Sequence, residues 1–331
     1  LSLIMVLSLV ACGETKTPAE GGAAEGGTQE VTESITLRQY ASAAGGQWYP
    51  MGTAIGAVWE KYIPGVITSL SPGAGGANVK TVANGEAEVA FSQAISVALA
   101  RDGLDPFDKV YDGLTQLYAM HPAGIHIVTL ANSGITSLAD LADKNIGYGN
   151  VGEIHNAAIE SILAEQYGIT PESVIKNGGS INYFGDAEAP SALADGQVDV
   201  IVCLGSWPRA ALAEIEQNPG IRLISIEEDK LTAWQADHPD WNITTIPGGT
   251  YKGNPDDVQI ICSWAIHIVR ETMDEELAYQ MTKNVWEHID EIHAASNDAR
   301  TWMSVDDALK AIDVVPLHPG AERYYKEIGL L

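Results

Sequence analysis

Basic residues are scarce in this chain, and their scarcity excludes a class of partner. The 331 residues include 18 Lys and Arg against 44 Asp and Glu, which gives a formal net charge of −26. Contacts to phosphate groups need clustered Lys and Arg, and a surface this acidic repels nucleic acid and anionic lipid. We therefore expect no nucleic-acid partner.

Cysteine is rarer still, with three residues in the chain. Two of them, Cys203 and Cys262, lie in the apolar runs "VDVIVCLGSW" and "DVQIICSWAIHIV", which predict buried strands. Buried free thiols are the favoured interpretation, and a disulfide between them is the alternative that an oxidising compartment permits. No Cys/His cluster has the spacing of metal ligands, so we predict no metal site.

Catalytic motifs are also missing. The sequence contains no G-x-S-x-G elbow, no phosphate-binding loop and no H-E-x-x-H pair. The stretch "GAGGAN", residues 73–78, lacks the G-x-G-x-x-G spacing of a dinucleotide loop, and no acidic residue follows where a ribose would need it. These absences predict a protein that is not an enzyme and that needs no cofactor.

The first residues resemble an export signal. Residues 1–11 are an apolar run with the length of a signal-peptide core, and Leu9-Val10-Ala11-Cys12 resembles the lipobox of bacterial lipoproteins. That resemblance implies a signal peptide over residues 1–12, further residues in front of it, and a lipid-modified Cys12 that anchors an extracytoplasmic protein to the membrane. Residues 13–33 are mainly Gly, Ala, Glu, Thr and Pro, which predicts a disordered tether. The alternative is a chance cysteine after a signal peptide that is cut elsewhere.

From residue 34 the pattern alternates between strands and helices in two series. The first series runs from "SITLRQYA" to "AEVAFSQ", and the second begins near residue 125 with "GIHIVTL". This order predicts an α/β protein with parallel sheets covered by helices. A chain of this length exceeds one usual core, so we predict two lobes with a cleft between them: residues 34–123 with 255–331, and residues 124–254 with the hinge segments.

Turns rich in Gly or Ser precede five predicted helices, at "SAAGGQWYP", "SPGAGGAN", "FSQAIS", "YGNVGEIHN" and "LGSWP". The free N–H groups at a helix N-terminus suit the carboxylate of a small ligand, and glycine lets a ligand approach the backbone. Such loops are often Gly-rich for structural reasons alone. Because five of them occur in both lobes, we favour a ligand cleft.

The chain resembles the TAXI family, the substrate-binding proteins of one class of TRAP transporters. The likeness is carried by "GGQWYPMGTAI", "GANVKTVANGEAEVAFSQ", "SGITSLADLADKNIGYGN", "LADGQVDVIV" and "LHPGAERYYKEIGL", and it covers residues 34–331. It implies a two-lobed periplasmic-binding-protein fold, type II-like, that closes around a small carboxylate or amino acid. It also implies delivery of that ligand to ion-coupled TRAP permease subunits without an ATPase. We expect a monomer; the alternative function is a sensor that reports ligand occupancy to a membrane signalling partner.

Two loops depart from the family pattern, and the one in the first lobe has Gln47-Trp48 where the family usually has Thr-Tyr. Where the family loop resembles G-x-P-G-S-G-T, this chain has Glu153 in place of serine and His155 in place of threonine. Glu153 either caps a helix or faces the cleft, where it would repel a carboxylate and favour an ammonium or a neutral polar ligand. The predicted ligand-binding residues are Gly46, Gln47, Trp48, Tyr49, Gly75, Asn78, Ser92, Gln93, Asn150, Glu153, His155 and Trp207.

Within that set, Trp48, Tyr49 and Trp207 offer aromatic faces to an apolar or cationic part of a ligand, although Trp207 equally fits a core or hinge position. Arg209 either pairs with a ligand carboxylate or lies at the surface start of a helix, and we favour the surface position. In the closing segment, Pro319-Gly320 predicts a helix start. We expect the tail to pack on the first lobe, with His318 and Glu322 as buried hydrogen-bonding partners.

Overall fold

The computed structural model describes residues 34–44 and 46–331. The predicted signal peptide, Cys12 and the predicted tether lie outside these residues. The described part forms ten strands: β1 Ile35–Tyr40, β2 Val66–Ser71, β3 Val89–Gln93, β4 Leu114–Leu130, β5 Asn145–Tyr148, β6 Ser180–Tyr183, β7 Val200–Gly205, β8 Ile221–Leu223, β9 Asn242–Ile246 and β10 Val258–Arg270.

Twelve α-helices accompany the strands within the same residues, together with two 3₁₀ helices at Leu138–Asp143 and Val305–Asp307. The α-helices are α1 Trp48–Tyr62, α2 Gly75–Ala83, α3 Ala94–Asp102, α4 Ile154–Tyr167, α5 Pro171–Lys176, α6 Ala189–Ala194, α7 Ala210–Ile215, α8 Glu228–Asp237, α9 Glu275–Glu287, α10 Ile289–Ala295, α11 Asn297–Trp302 and α12 Pro319–Glu327. All five Gly- or Ser-rich turns singled out above precede helices, namely α1, α2, α3, α4 and α7.

The strands form one mixed sheet in the order β2-β1-β3-β10-β4-β7-β5-β6, with β8 beside β4 and β9 beside β10. The predicted parallel pairing is confirmed for β1 with β2 and β3, and for β5 with β6 and β7. It is wrong for β4 and β10, which run antiparallel to each other and to β7 and β3. These two long strands join the parallel part of one lobe to that of the other, which gives the predicted two-lobed α/β fold.

Both long strands change neighbours along their length. Residues 114–124 of β4 pair with β10, whereas residues 124–129 pair with β7. Residues 258–262 of β10 pair with β9, and residues 265–269 pair with β3. The lobe boundary at residue 255 stays a prediction, and the first part of β10 pairs with β9 of the predicted second lobe.

Each lobe has its own apolar core. In the first lobe, α1 buries Met51, Ile55, Val58 and Trp59, a spacing that places them on one helical face against α9 and the sheet. The indole N–H of Trp59 donates to the Met281 carbonyl at 3.0 Å. In the second lobe, buried aliphatic residues of β5, β7 and α4 pack with α8 around Trp234, Ile146, Ile159 and Val200.

The tail packs on the first lobe, and α12 begins at Pro319 as predicted. The prediction for His318 is confirmed: its Nε2 lies 3.1 Å from the Met273 carbonyl, and its Nδ1 accepts the Gly320 N–H at 3.2 Å. The prediction for Glu322 is wrong. Its side chain is 45% exposed and pairs with Lys326 at 2.5 Å, because it projects from the outer face of α12.

Cys203 and Cys262 are buried and free, which confirms the favoured interpretation over the disulfide. Burial raises the pKa of the Cys203 thiol to about 11 and that of the Cys262 thiol to about 12, so both are protonated near neutral pH. Among residues 34–44 and 46–331, no helix has the length and apolar content to cross a membrane.

Candidate functional site

In the first lobe, the carboxyl ends of β1, β2 and β3 lie at one edge of the sheet, where α1, α2 and α3 begin. Asn78 ties these loops together. Its Nδ2 donates to the carbonyls of Ala41 and Phe91, both at 2.8 Å, and its Oδ1 accepts the Ala74 N–H at 3.2 Å. The side chain is buried and engaged with the backbone, so Asn78 positions the edge of the sheet rather than projecting from it.

Gly75, Ser92 and Gln93 meet at the start of α2. The Ser92 hydroxyl donates to the Gly75 carbonyl at 3.0 Å. A Cβ at Gly75 would clash with Oε1 of Gln93, so glycine leaves room for the half-buried Gln93 amide to lie over the helix start. The structure therefore brings these three predicted site residues together.

The two aromatic residues at the start of α1 differ in burial. Trp48 is buried, stacks on Phe91 with ring centroids 5.7 Å apart, and donates its indole N–H to His121 Nε2 at 2.8 Å. Its ring therefore lies in the core, not at an open edge as expected. Tyr49 is partly exposed and, with Gly46 and Ala295, lines an open cavity of about 520 Å³.

One hydrogen bond joins the strand ends of the two lobes. Gln47 precedes α1 in the first lobe, and Ser206 follows β7 in the second. The Gln47 side-chain Nε2 donates to the Ser206 hydroxyl at 2.7 Å. The loop edges that carry the predicted ligand-binding residues therefore face each other at this point.

On the second-lobe side, the β5–α4 turn is organised by Asn156. Its Oδ1 accepts the Gly149 N–H at 3.0 Å, and its Nδ2 donates to the carbonyls of Gly149 at 3.2 Å and Asn150 at 2.9 Å. The sequence analysis did not single out Asn156. The signal was available, since Asn side chains often bond nearby backbone groups at helix starts.

Glu153 occupies the N-cap position of α4, but its carboxylate makes no capping bond to the helix. It instead accepts the Asn150 Nδ2–H at 2.9 Å, and its Oε2 lies 3.4 Å from His155 Nε2. The Glu153 side chain is 41% exposed and that of His155 is 5% exposed. The structure thus brings Asn150, Glu153 and His155 together and places the Glu153 carboxylate at the start of α4 without a capping hydrogen bond.

Burial shifts the pKa values of the two titratable side chains in this turn. Burial raises the pKa of Glu153 above its ordinary value, and the hydrogen bond from Asn150 opposes that shift. Burial, with the positive charge of Arg209, lowers the pKa of His155 to about 4 despite the opposing charge of Asp186. His155 is therefore neutral near pH 7, and its contact with Glu153 is not an ion pair.

Arg209 is not the surface residue that we favoured. Its side chain is 12% exposed; it bonds the Leu204 carbonyl and pairs with Asp186 Oδ1 at 2.8 Å. The Arg209 backbone N–H donates to the Tyr251 hydroxyl at 2.8 Å, and that hydroxyl lies 3.0 Å from His126 Nε2. The guanidinium therefore lies against the end of β7 with its charge balanced by one carboxylate.

Trp207 is buried in the second-lobe core, which agrees with the core alternative. Its ring meets that of Trp302, from α11, edge to face with centroids 5.2 Å apart. A Cβ at Gly124 would lie 2.8 Å from the Trp207 ring, so this glycine of β4 makes room for the indole. Within the described part of the chain, no group of three or more His, Cys, Asp or Glu side chains could hold a metal ion.

Solved structures with similar folds include a TctC solute-binding protein from Polaromonas. It is 17% identical, with a TM-score of 0.56, and the match covers 89% of this chain and 98% of that one. The protein XAC2383 from Xanthomonas citri, solved bound to ATP, is 10% identical with a TM-score of 0.52, over 89% of this chain and 100% of that one. At these identities the likeness concerns the fold, and it agrees with the two-lobed arrangement.

A family model supplies the closer assignment. The model of the NMT1-like family matches residues 40–329, which include both long strands and the loops described above. The matched region extends over most of the 331 residues and ends within two residues of the end of this sequence. The chain belongs to the NMT1-like family.

Proposed function

We propose that this protein is an extracytoplasmic solute-binding receptor of the TAXI type, which captures a small polar metabolite and delivers it to an ion-coupled TRAP permease. The metabolite is a carboxylate or an amino-acid-like molecule. The observation that carries the proposal is the meeting of the two lobes at Gln47 and Ser206, where strand ends and helix starts from both sides face one another. Ligands of open α/β sheets bind at such edges.

The fold also supports a closing motion. Among the strands of residues 34–331 that the structure describes, β4 and β10 alone run through both lobes, and each changes neighbours near the middle. Rotation about two strands would open and close the edges around a solute, as in hinge-type domain closure. Solute binding of this kind uses no cofactor and no catalytic group.

The family membership and the structural likeness to a TctC solute-binding protein support the same function. A lipid anchor at Cys12 would hold a monomeric receptor at the outer face of the membrane beside its permease. The transport partner and the anchor rest on the sequence resemblances described above.

The first test is a thermal-unfolding screen of the purified protein against carboxylates, amino acids, amines and sugars. A ligand present at about 100 times its Kd stabilises the folded state by about 2.7 kcal/mol, which raises Tm by roughly 4 °C in a chain of this size. The Gln47→Ala variant should bind the same ligand more weakly, because the contact between the lobes is lost. Gln197→Ala is the matched control, since Gln197 is exposed before β7, at the opposite end of that strand from Ser206.

The second test uses vesicles that contain the TRAP permease subunits. Uptake of the identified solute should require both the added receptor and a cation gradient, without ATP. Absence of uptake despite tight binding would contradict the transport role and favour the sensor alternative. Absence of any ligand in the first screen would contradict solute binding itself.

A further inference from the structure

The β5–α4 turn contains a buried polar atom without a partner. Within the described residues, His155 Nε2 is buried and makes no hydrogen bond. Buried polar groups are nearly always paired, and an exception calls for an explanation such as a missing ligand. The atom lies 3.4 Å from Glu153 Oε2, so the two groups face each other at the start of the 14-residue helix α4.

The chemistry of these two groups defines what they could receive. Glu153 is an acceptor, and the Asn150 amide already occupies its Oε1 at 2.9 Å. His155 is neutral, and its Nε2 accepts a hydrogen bond when the proton is on Nδ1. A ligand group with several N–H donors would bond Glu153 Oε2 and His155 Nε2 together, whereas a ligand carboxylate here would meet a negative charge at close range.

The neighbouring charges agree with this assignment. Arg209 is the basic group whose charge lowers the pKa of His155. It is paired with Asp186 at 2.8 Å and bonded to the Leu204 carbonyl. Its positive charge is therefore balanced, and the exposed carboxylate of Glu153 is left without a cationic partner among the side chains of its own loop. A cationic ligand group would supply that partner.

We propose, resting on the solute-binding function above, that Glu153 and His155 receive a primary ammonium group, so that the solute is an amino-bearing metabolite and not a simple carboxylate. The turn then differs in specificity from a loop of hydroxyls and backbone amides, which would hold an anion. Asn150 positions the Glu153 carboxylate for this contact through the bond between their side chains.

The test measures binding by titration calorimetry with three matched pairs of probes: L-glutamate with glutarate, L-leucine with 4-methylpentanoate, and 5-aminopentanoate with pentanoate. In at least one pair the amino-bearing member should bind tenfold or more tightly than its partner. The Glu153→Gln variant should weaken that binding by roughly tenfold to hundredfold, the usual effect of losing a charged hydrogen bond. It removes a charge that burial disfavours, so the unfolding midpoint without ligand should stay the same or rise.

Glu165→Gln is the matched control, because it makes the same chemical change near the other end of α4, where Glu165 bonds Ser161. It should leave the affinity for every probe unchanged. Equal binding of both members of each pair, or affinity unaffected by Glu153→Gln, would overturn the ammonium assignment and leave solute binding standing. Failure of the wild-type protein to bind any amine or amino acid, here and in the wider screen, while it binds another solute would also overturn the ammonium assignment; failure to bind any solute in that screen would overturn both.

Discussion

A directional chain of hydrogen bonds fixes Arg209 at the end of β7. The Gly124 carbonyl can only accept, so the proton of His126 lies on Nδ1, 3.1 Å from that oxygen. His126 Nε2 then accepts the Tyr251 hydroxyl proton at 3.0 Å, and the Tyr251 oxygen accepts the Arg209 N–H at 2.8 Å. Every group in the chain has one compatible role, so β4 in the sheet determines where the loop after β7 turns into α7.

The Tyr251→Phe variant tests this chain. It leaves the Arg209 N–H and His126 Nε2 without their partner, and unsatisfied buried polar groups cost about 1–3 kcal/mol each. Because two such groups lose their partner, we expect the free energy of unfolding, measured in urea, to fall by about 2–6 kcal/mol. Tyr183→Phe removes a hydroxyl from a 48% exposed ring and should change stability by less than about 0.5 kcal/mol. Equal effects of the two substitutions would contradict the chain.

Residue types alone did not predict which polar side chains form hydrogen bonds within the fold and are therefore not free to contact a ligand. Trp48 and Arg209 both follow Gly-rich loops at strand ends, as ligand-binding residues do, yet His121 accepts the indole N–H and Leu204 with Asp186 binds the guanidinium. His121 lies far from Trp48 in sequence. The contacts of Arg209 depend on the geometry of the turn after β7. By contrast, the predicted ligand-binding residues Asn150, Glu153 and His155 do lie together, because all three are within one local turn.

At the scale of elements, the last helix depends on a close backbone approach. Gly320 in the first turn of α12 faces α9, and a Cβ there would clash with the Glu275 carbonyl and lie 2.6 Å from the Tyr279 backbone nitrogen. Helix α12 is further attached through Tyr325, whose hydroxyl donates to the Leu117 carbonyl at 3.1 Å and accepts the Trp286 indole N–H at 2.8 Å. The tail is therefore a structural part of the first lobe.

We expect Gly320→Ala to destabilise the protein by about 1–3 kcal/mol, the usual cost of overpacking, because backbone atoms must move apart. Gly76→Ala is the control: it lies in α2, where the nearest atom to a Cβ, from Phe107, is 3.8 Å away. In a helix, alanine is favoured over glycine by about 0.5–1 kcal/mol, so this variant should gain stability. Denaturant unfolding measures both, and a neutral Gly320→Ala would contradict the close packing of α12 on α9.

The elements that periodicity did not predict have physical reasons for being missed. The first part of β4 contains Pro122, and its ladder to β10 shifts register between Ala265 and Ile266 and between His267 and Ile268. Proline and bulges disrupt the pattern from which a strand is inferred. Helix α5 and strand β9 are short, six and five residues, and are stabilised by their neighbours more than by their own pattern.

At the scale of the whole molecule, the two long strands carry buried histidines. His121 and His126 lie on β4 and His267 on β10, all three within the strands that join the lobes. Burial lowers the pKa of His121 to about 4, and those of His126 and His267 to about 3. Because these side chains are neutral when folded, the connection between the lobes is sensitive to acid.

The direction of this sensitivity follows from proton uptake. Below pH 6.5 the unfolded chain binds protons on these histidines that the folded chain excludes until about pH 4 or 3. Their contribution to stability is therefore complete above pH 6.5 and is lost as the pH falls, by about 1.4 kcal/mol per pH unit for each histidine. Glu153 acts in the opposite direction: because its pKa is raised, its contribution to stability is lost as the pH rises.

The His121→Gln variant isolates one of these contributions. Trp48 can only donate, so His121 Nε2 is an acceptor, and the glutamine carbonyl oxygen can take its place. The variant has no proton to gain, so the slope of unfolding free energy against pH between about 6 and 4.5 should fall by about 1.4 kcal/mol per pH unit. Urea unfolding at several pH values measures the slope separately from any loss of stability that is the same at every pH. An unchanged slope would mean that His121 is protonated in the folded protein, which would require a different arrangement around Trp48.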